Sequence, residues 1–195
     1  MKGKIKFVER PRTEFFATLR SRVNQYFEDN KIEKTGDWRM FIKTFVMLLL
    51  YIGPFVVILT NILPVGLTLL MWMVMGIGAS GMGMAVMHDA NHGAYSKNKF
   101  VNRMLGRSIY LVGGSKFTWI IQHNVLHHTY TNIYGMDEDI DDKPILRLSP
   151  HGKLSGIHRY QHIYAPFIYS LATLGWTLNK DFKQLIRYNK NGLTK

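Results

Sequence analysis

Five of the chain's eight histidines fall into two tight groups. His88 and His92 lie in M-H-D-A-N-H-G-A-Y, and His123, His127 and His128 lie in Q-H-N-V-L-H-H-T-Y. The first group is H-x-x-x-H and the second H-x-x-x-H-H. Neutral imidazole binds iron, zinc and copper through either ring nitrogen. On a helix, residues four apart share a face with Cβ atoms roughly 5–6 Å apart, close enough to converge on one ion. A single zinc is satisfied by three or four protein ligands. Five clustered histidines therefore point to two metals. Cysteine is absent, so the ligands are nitrogen and oxygen. The Glu-x-x-His pattern of soluble di-iron bundles is absent too.

The histidines need elements to hold them. Thr44–Thr60 and Pro64–Met87 contain no charged residue, and each matches the roughly 17–25 residues that cross a bilayer. Asn61 to Leu63 leave room only for a tight turn. The pattern predicts an all-α, integral-membrane protein: a cytoplasmic segment over 1–40, a transmembrane hairpin over 41–87, and a cytoplasmic or interfacial cap over 88–195 carrying the histidines. Gly53-Pro54 falls inside the first run, where membrane helices tolerate both residues. Forty mostly polar residues precede that run, so the run itself is not a secretory signal.

The net charge is +12. Such a charge suits nucleic acid, but here Lys34, Arg39, Lys43, Lys97, Lys99, Arg103 and Arg107 flank the apolar runs. That is the cytoplasmic excess of a membrane protein, and no nucleic-acid partner is expected. The same cations attract anionic headgroups or an acidic substrate such as an acyl-CoA.

Outside the hairpin, Phe16, Leu19, Val23 and Phe27 recur at helical spacing. They predict an amphipathic helix from a Thr13 cap to Asp29, packed on the rest of the protein or laid on the membrane, packing being the commoner fate. Asp37 is placed to cap the first span. Gly66, Gly76, Gly78, Ala79, Ser80, Gly81 and Gly83 make the second span a surface for close helix packing. Residues 98–122 read as an interfacial or re-entrant helix pair broken at Gly113-Gly114, and 137–143 as an acidic loop. Residues 160–178, with His162 and Pro166, read as a membrane-associated helix. A crossing there would put the basic tail of Lys180, Lys183, Arg187, Lys190 and Lys195 outside.

Iron supplies a chemical reason for the two groups. An acyl chain offers unactivated methylenes, from which no side chain removes hydrogen; an iron centre using O2 does. The motifs H-D-A-N-H-G-A-Y and Q-H-N-V-L-H-H-T-Y-T-N, with N-K-F-V-N-R-M-L-G and D-E-D-I-D, resemble the membrane fatty-acid desaturases, especially bacterial acyl-lipid or acyl-CoA desaturases related to front-end enzymes. The resemblance runs from about Asp37 onward. It implies two non-haem iron ions held by His88, His92, His123, His127 and His128, O2 as co-substrate, and a cis double bond put into an acyl chain. It also implies an acyl-CoA or acyl-lipid substrate in the bilayer of a bacterial inner membrane. No haem or flavin motif appears in the sequence, so electrons are expected from a separate ferredoxin or cytochrome b-type protein.

The family carries a third box, Q-x-x-H-H or H-x-x-H-H, after a further hairpin. His151, His158 and His162 do not form one. The resemblance therefore implies that these 195 residues are the N-terminal portion of a desaturase, with activity of the chain alone in doubt. Asp89, Asp137, Glu138 and Asp139 are candidates to orient ligating histidines. Asn91 and Asn124 adjoin the boxes. Trp119 is a candidate lining of an acyl tunnel or an interfacial anchor. Two alternatives share the histidines: a hydroxylase, ketolase or mono-oxygenase of the same chemistry, and a non-catalytic metal-binding membrane protein. The charge-free spans argue against a transporter.

Overall fold

The computed structural model of the chain describes residues 14 to 141, 143 and 145 to 194, and among these it is helical throughout, with a single isolated bridge between Lys143 and Leu146. The helices are α1 (Glu14–Asp29), α2 (Trp38–Leu59), α3 (Val65–Gly81), α4 (His88–Asn91), α5 (Lys99–Leu105), α6 (Lys116–Trp119), α7 (His128–Tyr130), α8 (Gln161–Ser170), α9 (Ala172–Gly175) and α10 (Asp181–Lys190). Between α3 and α4 the chain continues as a π-helix over Met82–Met87, and between α6 and α7 as a π-helix over Ile120–His127.

Asp37 caps α2 as expected: its carboxylate accepts the Arg39 amide at 2.9 Å. At the far end Asn61 turns the chain with φ 54°, a left-handed conformation that Asn tolerates better than most residues. The hairpin register follows from two glycines. A Cβ on Gly78 would sit 2.5 Å from the Tyr51 nitrogen and 2.7 Å from the Leu50 carbonyl carbon. A Cβ on Gly81 would collide with the Met47 side chain. Residues 78 and 81 thus face 50 and 47, and the helices run antiparallel with backbones nearly touching. Gly66, Gly76 and Gly83 face open space, so only part of the small-residue stripe serves packing.

Two helices, Trp38–Leu59 and Val65–Asn91, are long and apolar enough to cross a membrane. Only 11% and 17% of their most apolar windows are buried within the protein, far below what a core helix of a soluble domain would show. The compact core lies at the other end of the hairpin. Met82, Val86, Ala90 and Tyr95 are buried against Met40, Met47, Leu48, Val101 and Leu105. The Tyr95 hydroxyl donates to the Met40 carbonyl at 2.9 Å and lies 2.6 Å from Thr44 Oγ1. This ties the loop after α4 to the first turns of α2.

Residues 98–122 form the expected broken pair. Asn98 caps α5, and a 3-10 segment over Gly106–Val112 ends at Gly113 with φ 79° before Ser115 caps α6. Residues 160–178 fall in α8, α9 and a π-helical turn over Trp176–Lys180, all mostly exposed. Of the two fates expected for the amphipathic helix, packing is the one the described residues do not supply. The helix over Glu14–Asp29 forms, but it buries no residue, and Phe16 and Leu19 are 73% and 45% exposed. Of Phe16, Leu19, Val23 and Phe27, Phe27 alone is half-buried and the rest of the face is open among the described residues, because periodicity gives a helix its apolar side without supplying a partner. The Thr13 cap lies outside the described residues.

Candidate metal centre

α3, the π-helix after it and α4 form one continuous rod, and that rod delivers the first histidine group. His88 and His92 are one turn apart at its end, with ring centroids 4.5 Å apart. The second group projects from the π-helix over Ile120–His127 and from the first residue of α7, His128. The wider turn of the π-helix lays His123 and His127 nearly parallel, 5.2 Å apart and 15° between planes. His128 meets His123 edge-on at 4.9 Å. π-helical insertions recur at functional sites, and here one precedes the first group while another carries the second.

The two groups meet. His88 Nε2 lies 3.2 Å from His123 Nε2, and the His92 ring lies 4.9 Å from that of His128. Two sets of ligand atoms approach within 4.8 Å of one another: His88, His92 and His123; and His123, His127 and Asp139. His128 joins neither set at that limit. His123 stands between them, as a residue shared by two adjacent ion positions would. All five histidines expected as a metal site are thus brought together, with the Asp139 carboxylate beside His127.

Carboxylates stand behind the rings. Asp89 Oδ1 is 3.1 Å from His88 Nδ1. Both oxygens of Asp137 lie 3.1 Å from His127 Nδ1, and Asp139 Oδ2 is 3.2 Å away. A carboxylate accepting from Nδ1 fixes the tautomer with Nε2 free to bind a metal. Asp137 is fully buried. Burial alone would raise its pKa, but the amides of Asn132 and Asp139 and the His127 ring donate to it and hold it below the usual carboxylate value. His123 is driven to about 4, first by burial and then by the neighbouring histidines His88, His128, His92 and His127. His92 is lowered for the same first reason, then by His88 and His128. Neutral rings with free lone pairs are the form a cation requires, so the donor set fits a histidine-ligated metal.

Other candidates resolve differently. Trp119 neither faces outward as an anchor nor stands apart from the site. Its indole stacks on His123 and also contacts His88 and His92 edge-on. Glu138 turns away from the histidines. It accepts from Tyr188 at 3.0 Å and from Gln184 at 2.9 Å, and pairs with Arg187 at 2.6 Å. Gln184 also donates to Gln122 at 2.7 Å, and Gln122 donates to Asp139 at 2.8 Å. α10 is thereby tied to the second box through a chain of polar contacts that are at most half-buried. His158 caps its own segment by accepting the Ser155 amide, and His151 lies beside Tyr134; neither belongs to the cluster. Asn91 donates to the Gly106 carbonyl, while its Oδ1 and that of Asn124 are buried with no partner. Sequence reasoning did not single out Gln122, Gln184, Arg187, Tyr188 or Asp181, whose carboxylate accepts the Ser115 amide and the Thr118 hydroxyl.

Comparison with known proteins bears on the same residues. The family model described as fatty acid desaturase matches residues 61–194. The chain is 35% identical over 164 residues to a protein of Arthrospira platensis named sn-1 linoleoyl-lipid 6-desaturase, covering 84% of this chain and 45% of that one. A protein of the same name from Synechocystis sp. is 37% identical over 177 residues, covering 90% and 48%. An acyl-lipid (8-3)-desaturase of Physcomitrium patens is 31% identical over 185 residues, covering 93% and 38%. The chain spans about half the length, or less, of these curated relatives. No solved structure matches it significantly.

Proposed function

Because the chain belongs to the fatty acid desaturase family, we propose that it carries the histidine centre of an integral-membrane acyl desaturase. The reaction is removal of two hydrogens from a CH2–CH2 pair to leave a cis double bond. With O2, two electrons and two protons, the hydrogens leave as two waters. The observation that carries this reading is the meeting of five imidazoles from two separate boxes around His123.

Two non-haem irons held by His88, His92, His123, His127 and His128 would supply the hydrogen abstraction that no side chain can perform. The protein's own residues prepare that site. Asp89 accepts a hydrogen bond from His88 Nδ1–H, and Asp137 with Asp139 accepts from His127 Nδ1–H, an arrangement that leaves Nε2 of each ring unprotonated for a metal. Trp119 holds the His123 ring from one side. Burial keeps His123 unprotonated.

The hairpin of α2 and α3 spans the bilayer in this reading, which accounts for its exposed apolar surface. The first segment and both boxes then face the cytoplasm of a bacterial inner membrane, on the side where the basic residues gather. The names of the relatives favour an acyl-lipid substrate. Electrons come from a separate donor of ferredoxin or cytochrome b type.

The test is expression of the enzyme and its His92→Ala and His127→Ala variants in a host that lacks the product, with fatty-acid profiling and iron analysis of the purified protein. New unsaturated product that disappears in both variants, with iron lost alongside, supports the assignment. Undiminished product from either variant refutes it.

A further inference from the structure

Three cations gather beside the first histidine box without a carboxylate among them. Arg103 and Arg107 are four residues apart, across the junction of α5 with the 3-10 segment that follows it. Gly106 lies between them. A Cβ on Gly106 would stand 3.0 Å from Lys116 Nζ and would also strike the Asn91 side chain. The Lys116 ammonium therefore sits over the turn that carries both arginines. Asn91, which donates to the Gly106 carbonyl, is the chain neighbour of His92. Lysine and arginine ion pairs among the described residues involve Arg39, Lys97, Lys180 and Arg187, and none involves Arg103, Arg107 or Lys116.

Like charges held together without a counter-ion are unfavourable unless something anionic joins them. Lys116 registers this: burial first, then Arg107 and Arg103, lowers its pKa. The surroundings indicate what kind of anion. Phe100, Met104, Leu111 and Phe117 are each about half exposed or more on the same segments. Guanidinium and ammonium groups ringed by apolar side chains suit a ligand with a phosphate at one end and an acyl chain at the other.

We infer that Arg103, Arg107 and Lys116 form a binding site for the phosphate-bearing head of the acyl substrate, beside the first histidine box. Phosphate is common to a phospholipid head and to coenzyme A, and the site takes the phosphate in either case. The inference rests on the reading of the chain as acting on acyl substrates, but its test needs neither metal nor turnover.

The 195-residue chain, purified in a neutral detergent, would be titrated calorimetrically with dihexanoylphosphatidylglycerol, octanoyl-CoA and inorganic phosphate. The expected result is saturable binding of at least one of the two amphiphiles, at one per chain. Its affinity falls by about tenfold or more in the Arg103→Gln/Arg107→Gln/Lys116→Gln variant, on the order of one lost charged hydrogen bond or more. A Lys183→Gln/Lys190→Gln variant, which removes two exposed cations of α10, binds as the parent does. Preference for the lipid or for the thioester identifies the source of the phosphate; inorganic phosphate binds weakly for want of a chain. The single exposed change Arg103→Gln, with circular dichroism as a check on folding, repeats the test should the triple variant not fold. No saturable binding, unchanged affinity in both the triple and single variants, or equal loss in the α10 control would overturn the site. An iron-free preparation that still binds the amphiphile would leave this inference standing even if the metal reading failed.

Discussion

The indole of Trp119 lies face to face with the imidazole of His123, with ring centroids 4.6 Å apart and planes 23° from parallel. His123 is the ring common to both groups of converging ligand atoms, so a neighbour that restrains it restrains both. Trp119→Ala should remove a contact worth about 0.5–1.5 kcal/mol and lower activity by roughly tenfold, within the range for lost support of a ligand. Trp119→Phe should recover most of it. Equal activity in the alanine variant would show that the indole does not position the ring.

Asp137 accepts from two backbone amides as well as from His127. Asp137→Ala leaves the amides of Asn132 and Asp139, both on exposed residues, without this acceptor, at about 0.5–1.5 kcal/mol each. Thermal unfolding in detergent should fall by several degrees, and iron content should fall with it. Asp137→Asn keeps one acceptor oxygen and should lose affinity for metal, about 10- to 100-fold, with a smaller loss of stability. Were both variants to match the parent in iron content, the buried carboxylate would have no part in orienting His127.

The boxes and the helix caps are local patterns, and local patterns were legible. Spacing placed His88 with His92, and His123 with His127 and His128, and Asp37 at the start of α2; the resemblance joined the two groups into one site. The ties from Glu138 to Gln184 and Tyr188 were not legible. They join residues 46 and 50 positions apart, for which no periodicity exists. The three carboxylates from Asp137 to Asp139 look equivalent in sequence, yet only Asp137 and Asp139 reach His127 while Glu138 points to α10. The π-helical turns were also hidden, because six or eight residues are too few to distinguish one helical period from another. For α1, the pattern gave the helix and its apolar face but not what that face meets.

Gly78 gives a direct check on the hairpin. Gly78→Ala would place a methyl group against the backbone of Leu50 and Tyr51. The helices must separate, at about 1–3 kcal/mol by comparison with other overpacked sites. Gly76→Ala meets nothing within 4 Å and should be neutral or gain roughly 0.5–1 kcal/mol from helix propensity. Detergent-resistant folding of the two variants should differ in that direction; equal behaviour would mean that the helices do not pack in this register.

The orientation is testable because cysteine is absent. Single Lys4→Cys, Asn61→Cys and Asn98→Cys variants would be treated with a membrane-impermeant thiol reagent on intact cells. Only the variant at position 61 should be labelled. Labelling at position 98 from outside would invert the topology and place the histidines on the wrong side for a cytoplasmic electron donor.

If the continuous rod from Val65 to Asn91 crosses a bilayer as proposed, bilayer thickness becomes a parameter of the proposed reaction. His88 comes after 23 residues of that rod, or roughly 34 Å at 1.5 Å per residue. A hydrocarbon layer of about 30 Å would end just short of it. With Gly78 and Gly81 fastening the hairpin, the rod has little freedom to shorten by bending. In a thicker membrane it would tilt less and hold its histidines nearer the acyl region; in a thinner one it would lift them toward water or lean. Which methylene comes within reach of the site would then depend on the lipid in which the protein sits, as well as on the protein's own residues.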